Sequence, residues 1–118
     1  MGSASVEAAQ RAIDDCAGMR FGVNLFYPQR ELNAAERAAA ESLASDENAV
    51  LSDVSLDFGW HDKLTAALNG GAAVLWSMFG VFSEEEISRI HAAGAEAWTT
   101  VTTPEEAQAA AARGVDVL

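Results

Sequence analysis

The sequence predicts an α/β fold on a parallel sheet, and three observations carry that prediction. The first is a tandem echo in which Ser83-Glu84-Glu85-Glu86, leading to Gly94 and Ala95-Glu96-Ala97-Trp98, returns as Thr103-Pro104-Glu105-Glu106, leading to Gly114 and Val115-Asp116-Val117-Leu118. Each copy joins a capping box to a glycine stop and a short apolar stretch. In the box, a hydroxyl and a Glu three residues later satisfy the free amides of a helix start. The second is a pair of runs, residues 20–27 and 72–79, apolar at nearly every position. This is the pattern of strands covered on both faces in a parallel sheet. The third is the shortness of the helix-to-strand links, which demands parallel pairing through right-handed crossovers. About four parallel strands alternating with helices follow. The alike spacing of successive units favours a partial (β/α)8 TIM barrel over an open doubly wound sheet.

Taken in order, residues 5–16 form an amphipathic helix with Val6, Ala9 and Ile13 on one stripe and Gly18 as its left-handed stop. Residues 20–27 are the first strand, which Pro28 ends by removing an amide donor. Residues 29–71 are too long for a plain loop, so they carry the crossover. An Ala-rich helix is expected at 33–44, a short strand at 50–56 and a helix at 60–68, closed by Asn69-Gly70-Gly71. A strand at 72–79, the helix capped by Ser83, a strand at 95–101, a helix at 104–113 and a strand at 115–118 complete the chain.

Composition narrows the function. The 118 residues, half of them hydrophobic, suit a single domain over residues 1–118 with one core, burying roughly two-thirds of the unfolded surface. Eighteen acidic residues against seven basic ones give a net charge of -11, which repels phosphate backbones and anionic headgroups. Neither nucleic acid nor a membrane surface is an expected partner. No apolar run approaches the roughly 20 residues of a membrane span, and the first residues lack a secretory signal, so a cytoplasmic location is expected. The lone Cys16 cannot form an intramolecular disulfide, which suits a reduced compartment.

Phosphate-cradling motifs are missing, since Gly70-Gly71 precedes a strand where such a loop should follow one. His61 and His91 lie far apart, and no His/Cys/Asp/Glu cluster has metal spacing, so no metal is expected. Glu84, Glu85, Glu86, Glu105 and Glu106 read as first-turn acids favoured by the helix dipole. Trp60, Trp76 and Trp98 read as packing residues. What remains is the set of uncharged polar residues on apolar strands: Asn24, Ser77, Thr99, Thr100, Thr102 and Thr103. At the carboxyl ends of barrel strands such groups converge on one mouth and can bind a ligand without burying charge. The competing roles are β-propensity for the threonines and capping for Thr103.

The ordered combination of Phe21-Gly22-Val23-Asn24-Leu25-Phe26, Ser77-Met78-Phe79-Gly80, Ala92-Ala93-Gly94, Thr100-Val101-Thr102-Thr103-Pro104-Glu105-Glu106-Ala107 and Ala112-Arg113-Gly114-Val115-Asp116-Val117-Leu118 resembles the nitronate monooxygenase family. These enzymes, also called 2-nitropropane dioxygenases, are FMN-dependent TIM-barrel oxidoreductases. The resemblance implies oxidation of alkyl nitronates with O2, and it implies that Asn24 touches the flavin. Asn24, Ser77 and Thr102 are the expected cofactor-binding residues. The family would place this chain over the central barrel strands, about the third to the sixth, without the first two and the last. Neither His61 nor His91 occupies the motif of the family's catalytic His, so no catalytic residue is assigned and the truncated chain is expected to be inactive alone. The alternative from another class is a non-catalytic α/β fragment that self-associates, or pairs with a partner chain, through open sheet edges. A third reading is a small flavodoxin-like domain with some other ligand.

Overall fold

The computed structural model describes residues 2–47 and 56–118. Apart from Leu56, the short strand expected at 50–56 lies outside the described residues. The elements are α1 (Val6–Asp15), β1 (Gly22–Phe26), α2 (Ala34–Asp46), α3 (Trp60–Asn69), β2 (Val74–Met78), α4 (Glu84–Ala92), β3 (Glu96–Thr99) and α5 (Pro104–Ala112). The capped helix and the glycine stop of both halves of the tandem echo fold as expected. Ser83 with Glu86 and Thr103 with Glu106 form complete capping boxes, and Gly94 and Gly114 turn the chain with φ of 76° and 91°.

The three strands pair in parallel in the order β1-β2-β3. The fourth strand expected at 115–118 is reduced to one bridge between Trp98 and Val117. A side chain accounts for the shortfall: the Asp116 carboxylate accepts the Ala97 amide at 2.7 Å, so that donor is lost to any further rung. Asp116 also binds His91 Nε2 at 2.8 Å.

Sequential strand order joined by same-handed crossovers stacks the helices on a single face, as in an arc of a barrel; an open doubly wound sheet must reverse its order to cover both. The buried parity of the strands is Val23 and Leu25, Leu75 and Ser77, Ala97 and Thr99. These side chains meet Ile13, Trp60, Leu64, Phe82, Ile87 and Ile90 from the helical layer and its loops. The opposite parity carries Asn24, Trp76 and Trp98, none of them buried. Cover on both faces, expected from the apolar runs, is therefore corrected to cover on one face among the described residues. The apolar residues of the second face line open clefts.

Polar groups inside the core are paired. Trp60 Nε1 donates to Glu86, whose other oxygen accepts the Ser83 amide at 2.8 Å, so one carboxylate caps α4 and ties α3 to it. Lys63, buried on α3, donates to the Gly2 carbonyl at 2.9 Å. Burial pushes its pKa down, against the opposing pull of Asp57. No buried side-chain N or O among the described residues lacks a partner. Helix α2 buries no side chain and is supported locally by the Asn33–Glu36 capping box and the Arg30–Glu36 ion pair. Trp60 is a packing residue, as expected, with Tyr27 and Phe82 against its ring at 4.8 and 5.3 Å. No helix among the described residues is long and apolar enough to cross a membrane.

Candidate active site

The carboxyl ends of the strands open on one edge, and the turn after β2 is its most constrained part. Phe79 has φ 68°, a left-handed conformation unfavourable for a residue with a Cβ, yet its ring is 62% exposed. Three contacts hold it: Gln29 Nε2 donates to the Phe79 carbonyl at 3.1 Å, the Tyr27 amide to the Met78 carbonyl at 2.9 Å, and the Phe26 ring lies edge-on at 5.1 Å. Gly80 follows because a Cβ there would fall 2.5 Å from the Tyr27 ring. From beneath, Thr99 Oγ1 donates to the Gly80 carbonyl at 3.2 Å, and Ser77 Oγ lies 2.7 Å from Thr99 Oγ1.

On the uncovered face, strand register sets Asn24, Trp76 and Trp98 in one row across the sheet. Asn24 Nδ2 donates to the Trp76 carbonyl at 3.3 Å, Trp76 Nε1 to Thr100 Oγ1 at 2.7 Å, and Trp98 Nε1 to Glu96 at 2.9 Å. With both indole N–H groups satisfied, the rings are left as apolar surface; Trp76 is 42% exposed. A cleft of about 390 Å³ lies between Asn24, Trp76 and Trp98, and one of about 280 Å³ between the two indoles, Thr100 and Val117. At the strand ends a larger cleft, about 480 Å³, is bounded by Gln29, Phe79, Thr100, Thr102 and Glu106.

Of the expected ligand contacts, Asn24 lines the cleft of the uncovered face and Thr102 the cleft at the strand ends. Thr102 is already engaged, its amide and hydroxyl donating to Glu106 at 2.7 and 3.0 Å. Ser77 points the other way, fully buried toward the helices. The period of two along β2 separates it from Trp76. Thr100, one of the polar strand residues singled out in the sequence, lines a cleft, and so do Trp76 and Trp98, which read as packing residues. The signal for them was parity: once Leu75 is assigned to the core, its neighbour Trp76 must face away.

Among the described residues, the only charged side chain bounding these three clefts is Glu106. The amide of Thr102 first, and then its hydroxyl, hold the Glu106 carboxyl below its usual range, so it is ionised and a poor base. Neither histidine lines a cleft, since His61 is an exposed residue of α3 and His91 is paired with Asp116. Among the described residues no group of three metal-ligating side chains comes together.

A parallel β/α arc whose core helices pack on one face, with clefts of aromatic and uncharged polar residues on the other face and at its carboxyl edge, belongs with the (β/α)8 barrels. The chain is a member of the nitronate monooxygenase family, whose family model matches residues 2–118. Among solved structures, nitroalkane oxidase from Streptomyces ansochromogenes superposes with a TM-score of 0.80 at 35% identity, over 98% of this chain and 36% of that one. The chain thus spans about a third of that oxidase's length. No curated protein matches it. The family and the partial barrel expected from the sequence both stand.

FMN, the cofactor implied by the resemblance, fits these residues in part. Its planar ring suits the apolar indoles beside the Asn24 amide. For its phosphate, no lysine or arginine bounds the clefts among the described residues, and Glu106 already accepts the Thr102 and Thr103 amides.

Proposed function

We propose that this chain supplies one wall of an FMN-dependent site that oxidises alkyl nitronates with O2, as a single α/β domain in the middle of a barrel. The observation that supports this most is the row Asn24–Trp76–Trp98, an amide beside two indoles on the open face of a sheet, in a chain of this family. When bound, FMN supplies the one-electron chemistry that links nitronate to oxygen. The chain's share is to bind and orient. Asn24 would hold a polar edge of the ring, Trp76 and Trp98 would keep water from its face, and Phe79 with Thr100 would border the approach to it. Thr102 would act through Glu106, which it orders; Ser77 would act through Thr99, supporting the Gly80 turn from below.

The substrate in this reading is the alkyl nitronate that the family resemblance implies. At the strand-end cleft Glu106 accepts from three donors and serves to order the Thr102 segment. The test is a flavin titration followed by an oxygen-consumption assay with alkyl nitronate. The chain should bind flavin weakly, lose affinity in Asn24→Ala, and consume no oxygen alone. Unchanged affinity in that variant removes Asn24 from the site, and turnover by the chain with added FMN overturns the expected inactivity.

A second reading is a non-catalytic piece that pairs with another copy or a partner chain. It is supported by Trp76, Phe79 and Val117, large apolar side chains exposed on the uncovered face and the carboxyl edge. Light scattering tests it, because a monomer at all concentrations counts against pairing between copies.

A further inference from the structure

The clefts carry an asymmetry of charge that bears on which end of a flavin they hold. Among the described residues, two of the three have no charged side chain on their walls, and the third has only Glu106. No lysine or arginine bounds any of them; Arg113 reaches the Val81 carbonyl from the end of α5 without lining the cleft. In many α/β folds a phosphate is taken by free amides at a helix start. Here both helix starts at the carboxyl edge are capped in part from within, each by its own glutamate. Glu86 accepts the Ser83 amide at 2.8 Å, and Glu106 accepts the amides of Thr102 and Thr103 at 2.7 and 3.3 Å. A phosphate dianion arriving there would meet a carboxylate where it needs donors, beside Glu84, Glu85 and Glu105 in the same first turns. The neutral isoalloxazine ring meets two indoles and an amide.

Resting on the flavin reading above, we infer that this chain recognises flavin by its ring alone, so that uncharged riboflavin binds it at least as tightly as FMN. The acids raise the cost of the phosphate, and no contact at the clefts offsets it. Trp76 and Trp98 supply the aromatic walls, and their fluorescence reports occupancy.

The experiment is a set of tryptophan-quenching titrations of the full chain with lumiflavin, riboflavin and FMN at low and at moderate salt. The expected result is a riboflavin dissociation constant equal to or below that of FMN, with any gap narrowing as salt screens the acids. Trp76→Leu should weaken riboflavin and FMN by a common factor of about fivefold, the lower end of what a lost aromatic stack costs, and Trp76→Phe should restore most of it. Glu106→Gln keeps a side chain able to complete the capping box, and it should strengthen FMN by a larger factor than riboflavin; an equal change in both overturns the charge argument. FMN binding tenfold more tightly than riboflavin overturns the ring-only inference and leaves the flavin site standing. Absence of quenching by all three ligands, with the fold intact by circular dichroism, overturns both.

Discussion

The two faces of the three-stranded sheet are written in the same strands and share no task. On the helix side, Val23, Leu25, Leu75 and Ala97 are shut away, and the two hydroxyls placed among them, Ser77 and Thr99, bind each other. On the other side, Asn24, Trp76 and Trp98 stand in one register row with nothing over them among the described residues. Adjacent residues of one strand therefore belong to different problems. Leu75 and Ser77 belong to the packed layer, and Trp76 between them lines the open clefts.

Substitution on each face should expose that division. Leu75 is fully buried, and Leu75→Ala should cost about 2–5 kcal/mol in chemical unfolding through lost transfer energy and a cavity. A cost under 1 kcal/mol would mean the helical face is not the core. Ser77→Ala removes one partner of a buried hydroxyl pair and should cost about 1 kcal/mol, since Thr99 keeps its bond to the Gly80 carbonyl. Any effect of this change on flavin affinity should be indirect, through the Phe79–Gly80 turn, and smaller than that of Asn24→Ala. Asn24→Ala should leave stability within about 0.5 kcal/mol, as surface substitutions do, while weakening flavin binding; equal losses of both would erase the distinction between the faces.

Acid supplies a smaller perturbation with a defined sign. Burial alone would raise the Asp116 carboxyl, but the Ala97 amide and His91 outweigh it and hold the pKa below its ordinary value. Glu106 is lowered by the Thr102 amide. Groups with depressed folded-state values contribute stability that is fully present above their unfolded values, near 4, and that is lost as pH falls through the folded ones. Midpoints of urea unfolding should therefore be flat from neutral pH down to about 5 and decline below the unfolded carboxylate range. In Asp116→Asn the decline should be shallower, and an unaltered acid limb would show that this carboxylate is not held in the fold.

Much of the architecture was legible because it rests on local chemistry. The capping residues Ser83 and Thr103, the stops Gly94 and Gly114 and the apolar centres of the runs at 20–27, 72–79 and 95–101 state their own roles and fold as read. Less legible was anything that depends on which neighbour a residue meets. A run such as Val74-Leu75-Trp76-Ser77-Met78 is apolar on both parities, so only the packed helices reveal that Leu75 and Ser77 go inward. At the fourth strand, one carboxylate reaches an amide nineteen residues away in sequence and takes a donor from the ladder, a contact that no local pattern announces. The Asn24 side chain stood out as a polar residue in an apolar run, whereas Trp76 and Trp98 looked like core because size and apolarity do not distinguish a wall from a filling.

The one-sided stacking of helices on strands taken in sequential order has a bearing on how such a protein can change over time. With support and reception assigned to alternate positions of a five-residue strand, a lineage can rewrite every second letter to suit a new guest while the letters between preserve the scaffold. Innovation and solvency against unfolding are inherited along separate tracks of the same short text.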